Sequence, residues 1–285
     1  MFVIPKLKAL DMKKLSILFV LIANFAFGQK IKNDLHGYYK AESDTLLYSY
    51  FAFDGNGKVD ITGFGKGDYF QKGDSLIIYP DKSIFKFKIE KNKLKGTSDW
   101  VKNGTWIKKD TLIENRRKDP ALAQKRAELL AEYYQKNKDN TDFSLLFDEA
   151  KIKEHNHFIN DLCTKGLPKA CIEIFGMKVM DDMGGISAVL SGKINKNIAE
   201  NPEIVALGNK IVEMGEEEGH TILGRYYYAI GQKEKANTEW DKAIEKGSMR
   251  ASMAQLEVEL EESAAQAKKT SSGKKKKPTP QKKKK

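Results

Sequence analysis

The chain has 285 residues, with 50 Lys and Arg against 39 Asp and Glu, a formal net charge of +11. Ten of the lysines lie in residues 268–285 and a net three positive charges in residues 1–28, so the body between is left at −2. The basicity is therefore a tail, which argues against a nucleic-acid-binding body, and a body of about 230 residues suits two modest domains.

At the N-terminus, Met12-Lys13-Lys14 precedes the apolar run Leu15 to Phe27, and Ala26-Phe27-Gly28 supplies small residues at −3 and −1. This layout predicts a signal peptide over 1–28, with Met12 as the true start and cleavage before Gln29. The run of roughly 13 apolar residues falls short of the ~20 a spanning helix needs. The expectation is therefore an exported protein, periplasmic or secreted and not transmembrane after cleavage; neither cysteine ends the run, so it is not expected to be a lipoprotein.

Residues 29–110 read as an antiparallel β domain. Phe85, Phe87 and Ile89 alternate with Lys86 and Lys88, and Val59 and Ile61 with Lys58, Asp60 and Thr62, the period of strands with one buried face. Asp54-Gly55-Asn56-Gly57, Lys72-Gly73-Asp74, Pro80-Asp81-Lys82-Ser83 and Asn103-Gly104 separate the runs as turns. The expectation is a meander of about six strands forming a small open barrel or sheet. A closed eight-stranded barrel with a ligand cavity usually needs more chain than ~80 residues. If the domain instead carries a small apolar ligand, Phe51, Phe53, Phe85, Phe87 and Trp106 are the lining. Asp54 to Asp60 imitates a calcium loop, but Lys58 stands where a ligand should, so it reads as a hairpin turn. Gly63-x-Gly65-x-Gly67 is followed by no helix and fails as a phosphate loop.

Residues 111–120 form a polar linker. From Ala121 to residue 262 the composition turns helical, and Leu122, Leu129, Leu130 and Tyr133 mark the stripe of a first helix. The second half repeats itself. Four and three residues before Gly166, Gly215 and Gly247 stand Leu162/Cys163, Ile211/Val212 and Ala243/Ile244, and four residues after them stand Ala170, Gly219 and Ala251. The glycines read as left-handed helix C-caps and the small residues as close helix contacts. The spacing is that of helical repeats with an insertion over Asp181 to Asn201. Hairpins that cannot bury their faces alone stack, so the expected class is α+β in two domains: the β meander, then an all-α solenoid. Residues 263–285 read as a disordered Lys-rich tail.

Gly219-x-x-x-Leu223-Gly224-x-x-Tyr227, Gly231 and Ala236-x-x-x-Trp240-x-x-Ala243-x-x-x-Gly247-x-x-x-Ala251 resemble the Sel-one-like repeat, a relative of the tetratricopeptide repeat. The resemblance spans about residues 140–260. Cys163 and Ala170-Cys171 make the first repeat similar to the cysteine-rich secreted branch of that family. It implies a bridge from the last turn of one helix to the first turn of the next, with Gly166 at the corner. It also implies a protein-binding scaffold. An enzymatic role attaches to some cysteine-rich members, but no residue here is seen to carry one. The β region is similar, in meander and aromatic content, to a lipocalin-type half-barrel of exported proteins.

Cys163 and Cys171 are the only cysteines, and a structural disulfide competes with a redox or metal pair. The spacing is wrong for Cys-x-x-Cys chemistry, and no third ligand is near. His155 and His157 point apart on a helix and read as a solvated face, and His220 reads as a packing residue in the slot equivalent to Cys171. No catalytic residue, metal or cofactor is named. Tyr227 and Trp240 read as core, leaving Tyr226 and Tyr228 as surface candidates for binding another envelope or secreted protein. The tail offers itself to an anionic surface, although a purely solubilising role would serve the same lysines. The reading is a non-catalytic exported interaction scaffold. Its alternatives are an apolar-ligand carrier and, last, an envelope hydrolase.

Overall fold

The structure is a computed structural model, and it describes residues 30–62, 65–80, 83–109, 119–138, 148–191 and 198–272. The signal peptide expected over 1–28, residues 111–118 of the linker expected over 111–120, Gly63 and the lysines beyond Ser272 lie outside the described residues. Among the described residues the chain forms two compact units, each with its own core.

The first unit holds nine strands: β1 (Ile31–Lys32), β2 (His36–Ala41), β3 (Tyr50–Asp54), β4 (Lys58–Ile61), β5 (Gly65–Lys72), β6 (Ser75–Tyr79), β7 (Phe85–Glu90), β8 (Lys93–Gly96) and β9 (Thr105–Lys109). The sheet order is β1-β5-β4-β3-β2-β9-β8-β7-β6, and β6 pairs in turn with β5. That last pairing closes β2 to β9 into an eight-stranded antiparallel barrel, with β1 as an extra strand against β5. The open barrel or six-stranded sheet expected from chain length is thus corrected. Very short strands and tight turns let eight of them close within about 80 residues, and an eight-stranded interior is just wide enough for side chains to fill.

The turn residues do what their chemistry requires. Asp54 Oδ1 accepts from the backbone N–H of Asn56 (2.7 Å) and Lys58 (3.0 Å), tying the β3–β4 hairpin. The calcium-like motif is therefore a turn whose carboxylate the backbone already occupies. Strand alternation sends Phe51 and Phe53 of β3, Val59 and Ile61 of β4, and Phe85 and Phe87 of β7 inward. Trp106 anchors the lining by donating from Nε1 to the Tyr48 carbonyl at 2.7 Å.

β6 breaks the alternation, because Leu76, Ile77, Ile78 and Tyr79 are all buried. The cause is α1 (Pro120–Asn137), which covers the outer face. Tyr134 meets Phe70 at 5.7 Å and Tyr79 at 6.4 Å between ring centroids, Tyr133 meets Tyr79 at 5.9 Å, and the Lys86 ammonium lies 5.6 Å over Tyr134. Gln124 donates to the Ile31 carbonyl at 2.9 Å. The helix begins where Asp119 caps it and Pro120 presets its first turn. This corrects two expectations. The helix expected to open the helical domain belongs to the barrel unit. Its buried stripe keeps the expected Leu129 and Leu130 but adds Ala123 and Ala127 in place of the exposed Leu122, because small residues let the helix lie close on the sheet.

The second unit comprises α2 (Glu149–Lys165), α3 (Pro168–Asp182), α4 (Gly185–Ser191), α5 (Pro202–Glu213), α6 (Glu218–Ala229), α7 (Lys233–Glu245) and α8 (Met249–Ser272). Helices pack in chain order: α2 on α3, α3 on α5, α5 on α6, α6 on α7 and α7 on α8. The corners at Gly166, Gly215, Gly231 and Gly247 share one geometry, with φ between 81° and 106°. The glycine N–H bonds the carbonyl three residues back, and the next N–H bonds the carbonyl four residues before the glycine, at 2.8–3.3 Å. At three of these corners the acceptors are the apolar pairs Leu162/Cys163, Ile211/Val212 and Ala243/Ile244, whose repeat the sequence displays. Asp181 to Asn201, expected as an insertion, contributes the end of α3 and all of α4. The tail expected from 263 is helical through Ser272, because Ala264, Ala265, Gln266, Ala267, Lys268 and Lys269 favour helix and Gly273 follows the end.

Candidate functional site

The Cys163–Cys171 pair is a disulfide, with Cα atoms 4.8 Å apart across the Gly166 corner. Both residues are buried, so the bridge is an internal staple joining the last turn of α2 to the first turn of α3. His155 is not a solvated histidine. Its Nε2 lies 2.7 Å from Glu173 Oε1, tying the same two helices together about two turns back along α2, whereas His157 is exposed.

The densest polar constellation lies at the corner of α6, α7 and α8. His220 Nδ1 sits 2.7 Å from Glu239 Oε2, and its Nε2 sits 2.9 Å from the Lys246 ammonium. An ammonium can only donate, so Nε2 accepts and the ring proton sits on Nδ1, where it is given to the carboxylate. Lys242 donates to the other Glu239 oxygen at 2.6 Å. Burial pushes the Glu239 carboxyl up, but the hydrogen bonds from Lys242 and His220 outweigh it and hold the group below the usual carboxylate value. Beside this clasp, Thr221 and Ser248 share a buried hydroxyl–hydroxyl bond of 3.0 Å, and Trp240 donates to the Thr221 carbonyl at 3.3 Å. Both His220 nitrogens are occupied, and its ring is only 9% exposed, so it has no nitrogen free to take a substrate proton. Among the described residues no cluster of three His, Cys, Asp or Glu is placed to hold a metal ion.

The three consecutive tyrosines separate by environment. Tyr227 and Trp240 are core, as expected. Tyr226, expected at the surface, is only 2% exposed. Its ring meets Phe175 edge-on at 6.3 Å, and its hydroxyl accepts the Asn201 N–H at 2.7 Å, fixing the residue that caps α5. Tyr226 therefore joins α3, α6 and the α5 cap rather than meeting a partner. The reason is that α6 is covered on two sides, by α5 and by α7, so a one-sided repeat pattern misplaces it. Tyr228 is half-buried against Trp240, at 6.0 Å.

Two surfaces remain. Tyr227, Glu234, Lys235, Thr238 and Glu239 line a shallow open cleft of ≈ 290 Å³ between α6 and α7. Lys235 crosses it, pairing with Glu200 at 2.5 Å while lying 5.2 Å over the Tyr227 ring. The second is a row of exposed apolar side chains on α8: Met249, Met253, Leu256 and Leu260. No sequence expectation named it. Its signal is the 4-3-4 spacing of Met249, Met253, Leu256 and Leu260, legible in the chain.

In the barrel, the rings expected to line a ligand cavity fill the space themselves. Phe51 stands 5.2 Å from Phe87, 5.2 Å from Trp106 and 6.3 Å from Phe85, all near edge-to-face. Phe53 packs edge-on to Tyr39 at 5.5 Å and to Tyr69 at 5.0 Å, and the five expected lining residues are at most 2% exposed. No helix among the described residues is long and apolar enough to cross a membrane. Comparison with known proteins gives no match to a family model, to a curated protein or to a solved structure.

Proposed function

We propose that the chain is a non-catalytic exported protein whose helical unit, a short solenoid of Sel-one-like, tetratricopeptide-like hairpins, serves as a protein-binding scaffold in the cell envelope. The observation that carries this reading is the recurrence of one glycine-closed corner at the ends of α2, α5, α6 and α7, the construction of a repeat array. The disulfide supports an oxidising compartment, and the basic n-region with its apolar run supports the route to it. The polar groups at the helix corners are spent on joining helices, which favours a scaffold over a hydrolase. The filled barrel supports a structural module over a carrier of small apolar ligands.

The mixed-charge α6–α7 cleft, with Glu234, Lys235 and Thr238 at its edge, suits a polar segment of a partner protein. The test is affinity capture of the tagged mature protein from the envelope, with and without residues 268–285 and with Thr238→Arg in the cleft. The expected result is one stoichiometric partner, kept without the tail and lost with Thr238→Arg. Recovery of salt-sensitive polyanions alone, abolished by removing the tail, would overturn the reading.

A further inference from the structure

α8 is the last described helix of the array, and it is apolar on two opposite faces. Ala251 and Ala254 are buried, at 0% and 3% exposure, on the side that meets α7. On the other side Met249, Met253, Leu256 and Leu260 are between 49% and 62% exposed. At 100° per residue these four lie within about 60° of one another around the helix, roughly opposite the alanines. Their 4-3-4 spacing is the alternation of a and d positions in a two-helix seam. Four such side chains in a row make an apolar patch of roughly a few hundred Å², the scale at which exposed patches mark interaction sites.

We propose that this face is covered by the same face of a second copy of the chain, in an antiparallel pair of α8 helices. The stripe is self-complementary in that arrangement. A two-fold axis passing between Ala254 and Gln255 sets Met253 against Leu256 of the second copy and Met249 against Leu260 of the second copy, so all four layers are apolar. The flanks agree. In an antiparallel seam, e positions face e positions, which puts the partly exposed guanidinium of Arg250, one end of which holds Glu218 of its own chain at 3.4 Å, beside Glu257 of the second copy, twice by symmetry, while Ser252 faces Glu259. A parallel pair would instead set e positions against g positions, placing Glu257 beside Ser252 and Glu259 beside Ala264, with no cation opposite either glutamate.

Other occupants fit less well. Residues 273–285 contain only Gly, Lys, Pro, Thr and Gln, so the tail has only Pro278 and Pro280 to lay on a row of four large apolar side chains. An anionic lipid surface would meet Glu257 on one side of the row and Glu259 on the other. The patch buries less than the ~1,200 Å² at which stable specific interfaces begin, so the dimer is a weak, transient one. This surface is independent of the α6–α7 cleft, and Thr238→Arg leaves it intact.

The test is sedimentation equilibrium of the mature protein up to roughly 100 µM, a range suited to an interface of this size. The expected result is a reversible monomer–dimer equilibrium. Leu256→Glu abolishes it without lowering the melting temperature, since the residue is solvent-facing in the monomer. Glu257→Arg, which sets a second cation beside Arg250 across the two-fold axis, weakens it at least tenfold, and Glu257→Gln, which only removes the attraction, weakens it less. A monomer at every concentration overturns the proposal, as does a dimer that survives Leu256→Glu. Binding to phosphatidylglycerol vesicles by a monomer, lost with Leu256→Glu, would assign the face to lipid and overturn it equally.

Discussion

The barrel and the helical unit solve the same burial problem by opposite means. The barrel is closed by contacts between residues far apart in sequence: Trp106 bonds the Tyr48 carbonyl 58 residues back, and Tyr69 donates to the Asn33 and Leu35 carbonyls at 2.7 and 2.6 Å. Its interior is a cluster of edge-to-face rings with little polar chemistry. The helical unit is held by near neighbours. Each corner closes on its own backbone, and a disulfide, two His–Glu pairs and a buried hydroxyl pair join one helix to the next. Damage should therefore spread through the barrel and stay local in the helical unit, where each helix packs mainly on its chain neighbours.

The largest effect expected from this contrast is in the barrel. Phe51→Ala removes the ring that touches Phe85, Phe87 and Trp106 together, and should cost about 3–5 kcal/mol. Hydrogen exchange should rise across β2 to β9 as a block. A rise confined to β3 would show that the barrel is not one cooperative unit. Next in size is the staple. Replacing Cys163 and Cys171 together by Ala should cost about 2–3 kcal/mol in the chain-entropy view of so short a loop. The exchange increase should stay within α2 and α3, with the same result on reduction. Spread into α6 and α7 would contradict the local picture.

The smallest is the Glu239 clasp. Its folded carboxyl titrates below the ordinary value of 4.5, so its stabilisation is complete above that pH and is lost as pH falls through the lowered folded value. Glu239→Gln should cost on the order of 1–2 kcal/mol at neutral pH. The gap between wild type and variant should close on acidification below about pH 4.5. A gap that is constant with pH, read from urea unfolding at each pH, would assign the cost to packing instead.

Much of this architecture is written locally. The turn at Asp54 to Gly57 is legible because Asp, Asn and Gly satisfy a hairpin backbone themselves, and the strand faces of Phe51, Phe53, Phe85 and Phe87 follow from a period of two. The corners at Gly166, Gly215 and Gly247 are legible because only glycine accepts a left-handed φ without strain, and the apolar pairs before them recur. The Cys163–Cys171 bridge across that corner is what the resemblance to cysteine-rich repeats implied, and the structure closes it. The sites were less legible. Tyr226 and Tyr228 differ by two positions on one helix, and which of them is buried depends on α3 and the Asn201 cap, residues far along the chain.

What the sequence by itself determined is the class of each half, the turns, the corners and the staple, since these rest on interactions within a few residues. Tertiary structure alone decided the closure of the barrel, the docking of α1 on β5 to β7, the burial of Tyr226 and the exposure of the Met249 to Leu260 row. Each depends on which surface arrives from elsewhere to cover an apolar face. Periodicity states that a face is apolar; only packing states what covers it.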